Sequence, residues 1–142
     1  MTKKIFLFIS MLLIFSPAFA DEVSLYDPQG NAVAYVAIDY TIYLWEGDPV
    51  AYLYGSANKY QVYGFNGKHL GWFTNGTIYD NDGNSVGFMK GAINSMTSDE
   101  PEKGFKSIKP NELLKESAPP EPHYSNLLSN VPLTQFLKAG IE

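Results

Sequence analysis

The chain has 142 residues, a length that suggests one domain. It contains no cysteine, which excludes a disulfide framework, thiol catalysis and Cys-based metal sites. All 10 basic residues are lysines, set against 15 acidic residues. An acidic surface without arginine forks repels phosphate backbones, so nucleic acid is not expected as a partner.

The first twenty residues have the layout of a secretory leader. Lys3 and Lys4 form a positive start, residues 5–15 are apolar apart from Ser10, and Pro17 precedes the small-x-small pattern Ala18-Phe19-Ala20. The expectation is a signal peptide over 1–20, cleaved after Ala20, and a periplasmic or secreted mature chain. The apolar run of about eleven residues is well short of the roughly 20 that span a bilayer. No stable membrane insertion is expected after leader cleavage. Residues 21–142 carry eight lysines and 15 acidic residues, a formal net charge of −7, which also disfavours an anionic membrane surface.

Residues 25–36, 42–53, 62–73 and 78–89 then align without an inserted residue. Each reads apolar-Tyr-x-x-x-Gly-x-x-apolar-small-aromatic-apolar. The tyrosines are Tyr26, Tyr43, Tyr63 and Tyr79, and the glycines Gly30, Gly47, Gly67 and Gly83. A fixed unit that recurs while only its linkers vary is the mark of a repeat architecture. Asp27-Pro28-Gln29-Gly30 suits a type I turn closed by a glycine bulge, and Asp80-Asn81-Asp82-Gly83 reads the same way. Each unit is therefore expected to be a β-hairpin. The small residues Ala34, Ala51, Gly71 and Gly87 lie between larger apolar ones, which predicts close approach of a backbone or ring on that face. One of the two aromatic columns, the four tyrosines or Tyr35, Tyr52, Trp72 and Phe88, is expected to face the core. Asn75-Gly76 predicts a tight hairpin between the third and fourth units, Asp39-Tyr40 a similar reversal, and 54–60 a longer loop.

Composition changes after Gly91, and six of the nine prolines fall in 92–142. A short helix is expected over 112–117 with Asn111 as its cap, a stiff linker at Pro119-Pro120-Glu121-Pro122, and a terminal helical turn or two over 133–137. The organisation expected is a signal peptide 1–20, a fourfold hairpin domain 21–91, and a Pro-rich segment 92–142, docked or flexible. The fold class is all-β: four antiparallel hairpins as petals about a pseudo-fourfold axis, followed by an irregular or partly helical segment.

Tyr63-Gly64-Phe65-Asn66-Gly67-Lys68-His69-Leu70-Gly71-Trp72-Phe73, with Ile78-Tyr79-Asp80 and Asp82-Gly83-Asn84 after it, resembles the small bacterial four-fold β-flower family. The resemblance covers roughly 23–90, with an extension to Pro132-Leu133 and Phe136-Leu137. It implies four hairpin petals around a pseudo-fourfold axis, and it transfers no catalytic residue. Gly71-Trp72-Phe73-Thr74-Asn75-Gly76-Thr77-Ile78-Tyr79 is also similar to one choline-binding cell-wall repeat. Only this copy fits, and the Trp expected before Tyr79 is missing.

Chemistry-bearing motifs are sparse. There is no Gly-x-Ser-x-Gly elbow. The glycine of 80–84 comes too early for a calcium loop, and two histidines without a cluster do not make a zinc site. Asp27 and Asp80 occupy one position of two units and read as turn caps, while His123 reads as linker. No catalytic residue, cofactor or metal is expected. Where the repeat loses its symmetry, it leaves Trp45, Phe65, Lys68 and His69 as a candidate binding surface. Trp45 and Phe65 are expected to be exposed at the hairpin tips or packed by the C-terminal segment. The reading is a non-enzymatic binding module for a protein or glycan. The alternative is a structural protein that oligomerises through its hairpin tips.

Overall fold

The computed structural model describes residues 21–56, 59–93 and 96–142. The leader expected over 1–20 lies outside the described residues. Eight strands follow in order: β1 Val23–Tyr26, β2 Ala32–Val36, β3 Thr41–Leu44, β4 Pro49–Ser56, β5 Lys59–Gly64, β6 His69–Thr74, β7 Thr77–Asp80 and β8 Ser85–Met89. Every strand pairs antiparallel with its sequence neighbours, and β1 pairs with β8 through Leu25↔Met89 and Tyr26↔Phe88. The sheet closes into a barrel and so leaves no unpaired edge.

The four units fold alike because the same turn recurs. In each, the glycine N–H donates to the carbonyl three residues earlier: Gly30 to Asp27, Gly47 to Leu44, Gly67 to Gly64, Gly83 to Asp80. All four glycines have φ between 83° and 106°, the left-handed region that side chains avoid. The Asp27 carboxylate accepts from the N–H groups of Gln29 and Asn31, and the Asp80 carboxylate from those of Asp82 and Asn84. These two acids are turn caps. After each turn the register slips by one residue, at Leu25/Tyr26, Ile42/Tyr43, Val62/Tyr63 and Ile78/Tyr79. That bulge sends Val50, Leu70 and Val86 into the same central cluster as their neighbours Ala51, Leu53 and Phe73.

The interior is aliphatic. Leu25, Ile42, Val62 and Ile78 are fully buried in one cluster with Ala34 and Ala51. Neither aromatic column belongs to it. Both point outward, since side chains alternate across a strand, and this corrects the expectation that one would form the core. An eight-stranded barrel is just wide enough for side chains to fill. The small column makes room there for helix α1, Leu133–Lys138, which buries Leu133, Phe136 and Leu137. A Cβ on Gly87 would lie 2.7 Å from Leu133 Cδ2, and one on Gly71 2.9 Å from Phe136 Cζ. Tyr40 and Tyr60 pack against this cluster beside Phe73, with ring centroids 5.7 and 6.4 Å apart.

Two linkers follow expectation. Asn75 and Gly76 have φ of 50° and 78°, the paired left-handed residues of a two-residue hairpin. Tyr40, with φ 68°, closes the reversal at 37–41. Two segments differ. Residues 54–56 and 59–60 belong to β4 and β5, paired through Ser56↔Lys59, not to a long loop. Residues 112–117 form no helix and run extended. The reason lies in what they contact.

Candidate functional site

The C-terminal segment is a belt. The N–H groups of Ser98, Ser107, Glu116 and Ser125 donate to the carbonyls of Gly30, Gly47, Gly67 and Gly83, each at 2.9 Å. These donors are nine residues apart, one for each petal. Two residues earlier, the carbonyls of Met96, Phe105, Leu114 and His123 lie against the same glycines, where any side chain would collide with them. A helix over 112–117 would shorten the belt and take away the Glu116 N–H that Gly67 accepts. The N–H groups of Gly104 and Leu113 add bonds to the carbonyls of Trp45 and Phe65. The belt ends beside Ser85, which is bridged on both sides by Leu127 and Ser129.

The belt closes over the outward aromatics and creates a slot between each pair of petals. Between β2 and β3, Tyr35 stacks on Tyr43 at 5.5 Å and meets Trp45 edge-on at 5.8 Å. Between β4 and β5, Tyr52, Tyr63 and Phe65 repeat the arrangement at 6.2 and 5.5 Å. Lysines of the belt sit on these rings. Lys103 lies 4.4 Å from the Tyr35 centroid and 5.0 Å from that of Trp45, Lys106 lies 5.4 Å from Tyr43, and Lys115 lies 5.2 Å from Tyr52 and 4.7 Å from Tyr54. Glu22 pairs with both Lys103 and Lys106; the Lys106 bond, helped by Lys103, holds its carboxyl below the usual range. Burial pushes the Tyr35 and Tyr52 hydroxyls up, so both stay neutral.

The slot between β6 and β7 differs. Tyr124 of the belt covers Tyr79 at 4.4 Å. His69 lies edge-on to Tyr63 at 5.0 Å and 5.1 Å from Trp72. Its backbone N–H donates to the Glu116 carboxylate at 2.7 Å. It is 5 % exposed, and neither ring nitrogen has a hydrogen-bond partner among the described residues; nor has Trp72 Nε1. Burial lowers the His69 pKa, with the Asn81 side chain opposing that shift.

The four candidate residues therefore do not form one exposed surface. Trp45 and Phe65 are buried at equivalent places in two different slots, and the Trp45 indole N–H donates to the Pro101 carbonyl at 3.0 Å. Of the two places expected for these tips, exposed or packed by the C-terminal segment, the second is found: the docked segment packs them. His69 is buried at the edge of the third slot. Lys68 is exposed on its hairpin. Sequence reasoning missed the belt lysines, although their signal is present. Pro101, Pro110 and Pro119 are nine apart, as are Lys106 and Lys115, and as are Ser98 and Ser107. Among the described residues, no group of three or more His, Cys, Asp or Glu could hold a metal ion.

A closed barrel of four equivalent hairpins, its petals tied by a segment of the same chain, defines an all-β repeat protein of pseudo-fourfold symmetry. The chain belongs to the 4-fold beta flower protein family, whose family model matches residues 23–137 and so takes in the belt and most of α1 as well as the hairpins. No curated protein and no solved structure matches the chain.

Proposed function

We propose that this chain is a non-enzymatic, exported binding module that recognises an extended polypeptide carrying lysine side chains. The observation that carries this reading is the belt. Four turn carbonyls clasp an extended backbone at nine-residue intervals, and aromatic slots beside them hold its lysines. A surface that grips one such segment has the chemistry to grip another. Between the glycan and peptide partners that the aromatic surface suggests, backbone-to-backbone clasps favour the peptide. Export is supported by the order of Lys3-Lys4, the apolar run and Ala18-Phe19-Ala20. A binding role fits the carboxylates of Asp27 and Asp80, which are engaged by backbone N–H groups of their own turns.

The test is a panel of extended lysine-containing peptides beside soluble glycans and peptidoglycan fragments, titrated into the mature chain and read by the fluorescence of Trp45 and Trp72. Saturation by peptides and not by glycans is the expected result. Saturation by glycans alone would replace this reading with a carbohydrate one. A second reading, assembly, draws on Met96, Phe105 and Leu114, which stand on the outside of the belt at 92 %, 99 % and 96 % exposure. Self-association would then run through the belt and not through the covered hairpin tips. Light scattering of the full mature chain distinguishes the two, because a stable oligomer lost in Phe105→Ser belongs only to assembly.

A further inference from the structure

Among the described residues, the belt fills three slots and places no long side chain in the fourth. Its residues at the filling position are Lys106, Lys115 and Tyr124, each lying between a carbonyl packed on a turn glycine and an N–H bonded to that glycine. The fourth equivalent is Thr97, set between Met96 and Ser98 in the same clasp on Gly30. Its side chain is too short to reach across the rings. The slot wall has also shrunk: Pro28 stands where Trp45 and Phe65 stand in the second and third units. On the β8 side of this slot lies a cavity of about 380 Å³ open to solvent, lined by Pro28, Ser85, Phe88, Ile93, Leu128 and their neighbours; Phe88 is the ring it shares with the slot, and Tyr26, paired with Phe88 on β1, holds Glu100 at the far side.

Charge at this slot is also different. The first belt repeat reads Ser98-Asp99-Glu100-Pro101-Glu102, with three carboxylates where the second has Ile108, Lys109 and Asn111 and the third has Ser117, Ala118 and Pro120. Glu100 accepts from the Tyr26 hydroxyl at 2.9 Å and from Ser24. The Ser24 bond, helped by that of Tyr26, holds the Glu100 carboxyl below its usual range, and so it stays ionised at neutral pH. Tyr26 and Phe88 are the β1 and β8 counterparts of the rings that carry Lys106 in its slot. Lys103 and Lys90 also favour the Glu100 carboxylate, and Lys103 is itself seated on Tyr35 in the neighbouring slot.

We propose that the β8–β1 slot receives a lysine side chain of a partner polypeptide, seated against Phe88 with its ammonium near Glu100. The inference rests on the reading of this protein as a peptide-binding module and names where that peptide is read. The partner side chain would complete the fourfold set that the chain's own belt leaves one short.

The experiment uses the full mature chain, with amide shifts followed by NMR while Nα-acetyl-lysine amide is added, and Nα-acetyl-norleucine amide as the uncharged control. Saturable shifts centred on Phe88, Ile93 and Leu128 are expected, with the lysine compound about tenfold tighter, which corresponds to ~1.4 kcal/mol. Glu100→Gln should weaken lysine binding severalfold. Thr97→Lys should abolish it by filling the slot in cis. Equal binding of the two compounds would overturn the proposal, as would lysine shifts that persist in a folded Thr97→Lys protein or lie away from β8 and β1. Lysine peptides that bind the wild type and Thr97→Lys equally would place recognition elsewhere, so the slot fails while the peptide-binding reading stands. Amide shifts at the slot without binding of any peptide would give the reverse.

Discussion

Gly67 and Gly91 share a φ of 86°, yet they sit in opposite surroundings. A Cβ on Gly67 would strike the Leu114 carbonyl, whereas one on Gly91 meets nothing within 4 Å. Gly91→Ala should therefore cost only the left-handed backbone penalty, about 1 kcal/mol. Gly67→Ala adds a collision with the belt and should cost roughly 3 kcal/mol. Urea unfolding of the two variants isolates the belt contact as their difference; equal losses would mean that the belt does not press on the turns. His69 makes a second residue-level prediction. Its folded pKa is lowered by burial, so the unfolded chain binds a proton that the folded chain does not. Stability from this group is complete above the ordinary histidine range, about 6.5, and falls as pH drops from there towards the lowered folded value. Stability measured from pH 7.5 to 5 should decline in the wild type and be flatter in His69→Gln. A parallel decline in both would assign the loss to other groups.

At the scale of elements, the hairpins were legible because their chemistry is local. A turn glycine, an Asx cap and an Asn-Gly pair each act within four residues, and a single sequence displays them. Helix α1 was half legible. Its apolar residues suggested one or two turns over 133–137, but six residues cannot hold a helix unaided in water. Its stability comes from Leu133 seated against Gly87 and Phe136 against Gly71, more than forty residues away, with Leu137 in the same core. The sequence showed the small column and the helix separately and could not show that one receives the other. Leu133 is 1 % exposed, and Leu133→Ala should lower unfolding stability by about 2–5 kcal/mol through the cavity it leaves. An exposed change on the same helix, Gln135→Ala, should move it by under about 0.5 kcal/mol. Similar small effects from both, read by thermal unfolding, would show that the helix rests on the barrel without plugging it.

For the molecule as a whole, the barrel and belt are two forms of one symmetry, and only the first announced itself. The hairpin repeat has seven agreeing columns. The belt repeat has a donor N–H that any residue but proline supplies, so Ser98, Ser107, Glu116 and Ser125 need not be alike. Symmetry carried by backbone groups leaves a faint trace in side chains, here the prolines and lysines at nine-residue spacing. The same point explains why the aromatic columns were misplaced. Eight rings on the outside of a barrel look like core until something is known to cover them. Their cover lies after Gly91, so the two regions should unfold as one cooperative unit. A chain ended at Gly91 would lose α1 from the interior and expose Tyr35, Tyr43, Tyr52 and Tyr63 together, far more contiguous apolar surface than a monomer tolerates. It should bind a hydrophobic dye such as ANS, lose near-ultraviolet circular dichroism and aggregate, while a chain of residues 21–142 unfolds in one transition. Adding the 92–142 peptide should restore the near-ultraviolet signal, since every clasp joins backbone to backbone and needs no covalent link. A shortened chain that stays monomeric, dye-free and as heat-stable as the full one would show that the petals stand without their belt, and the slots would then be grooves that it merely occupies.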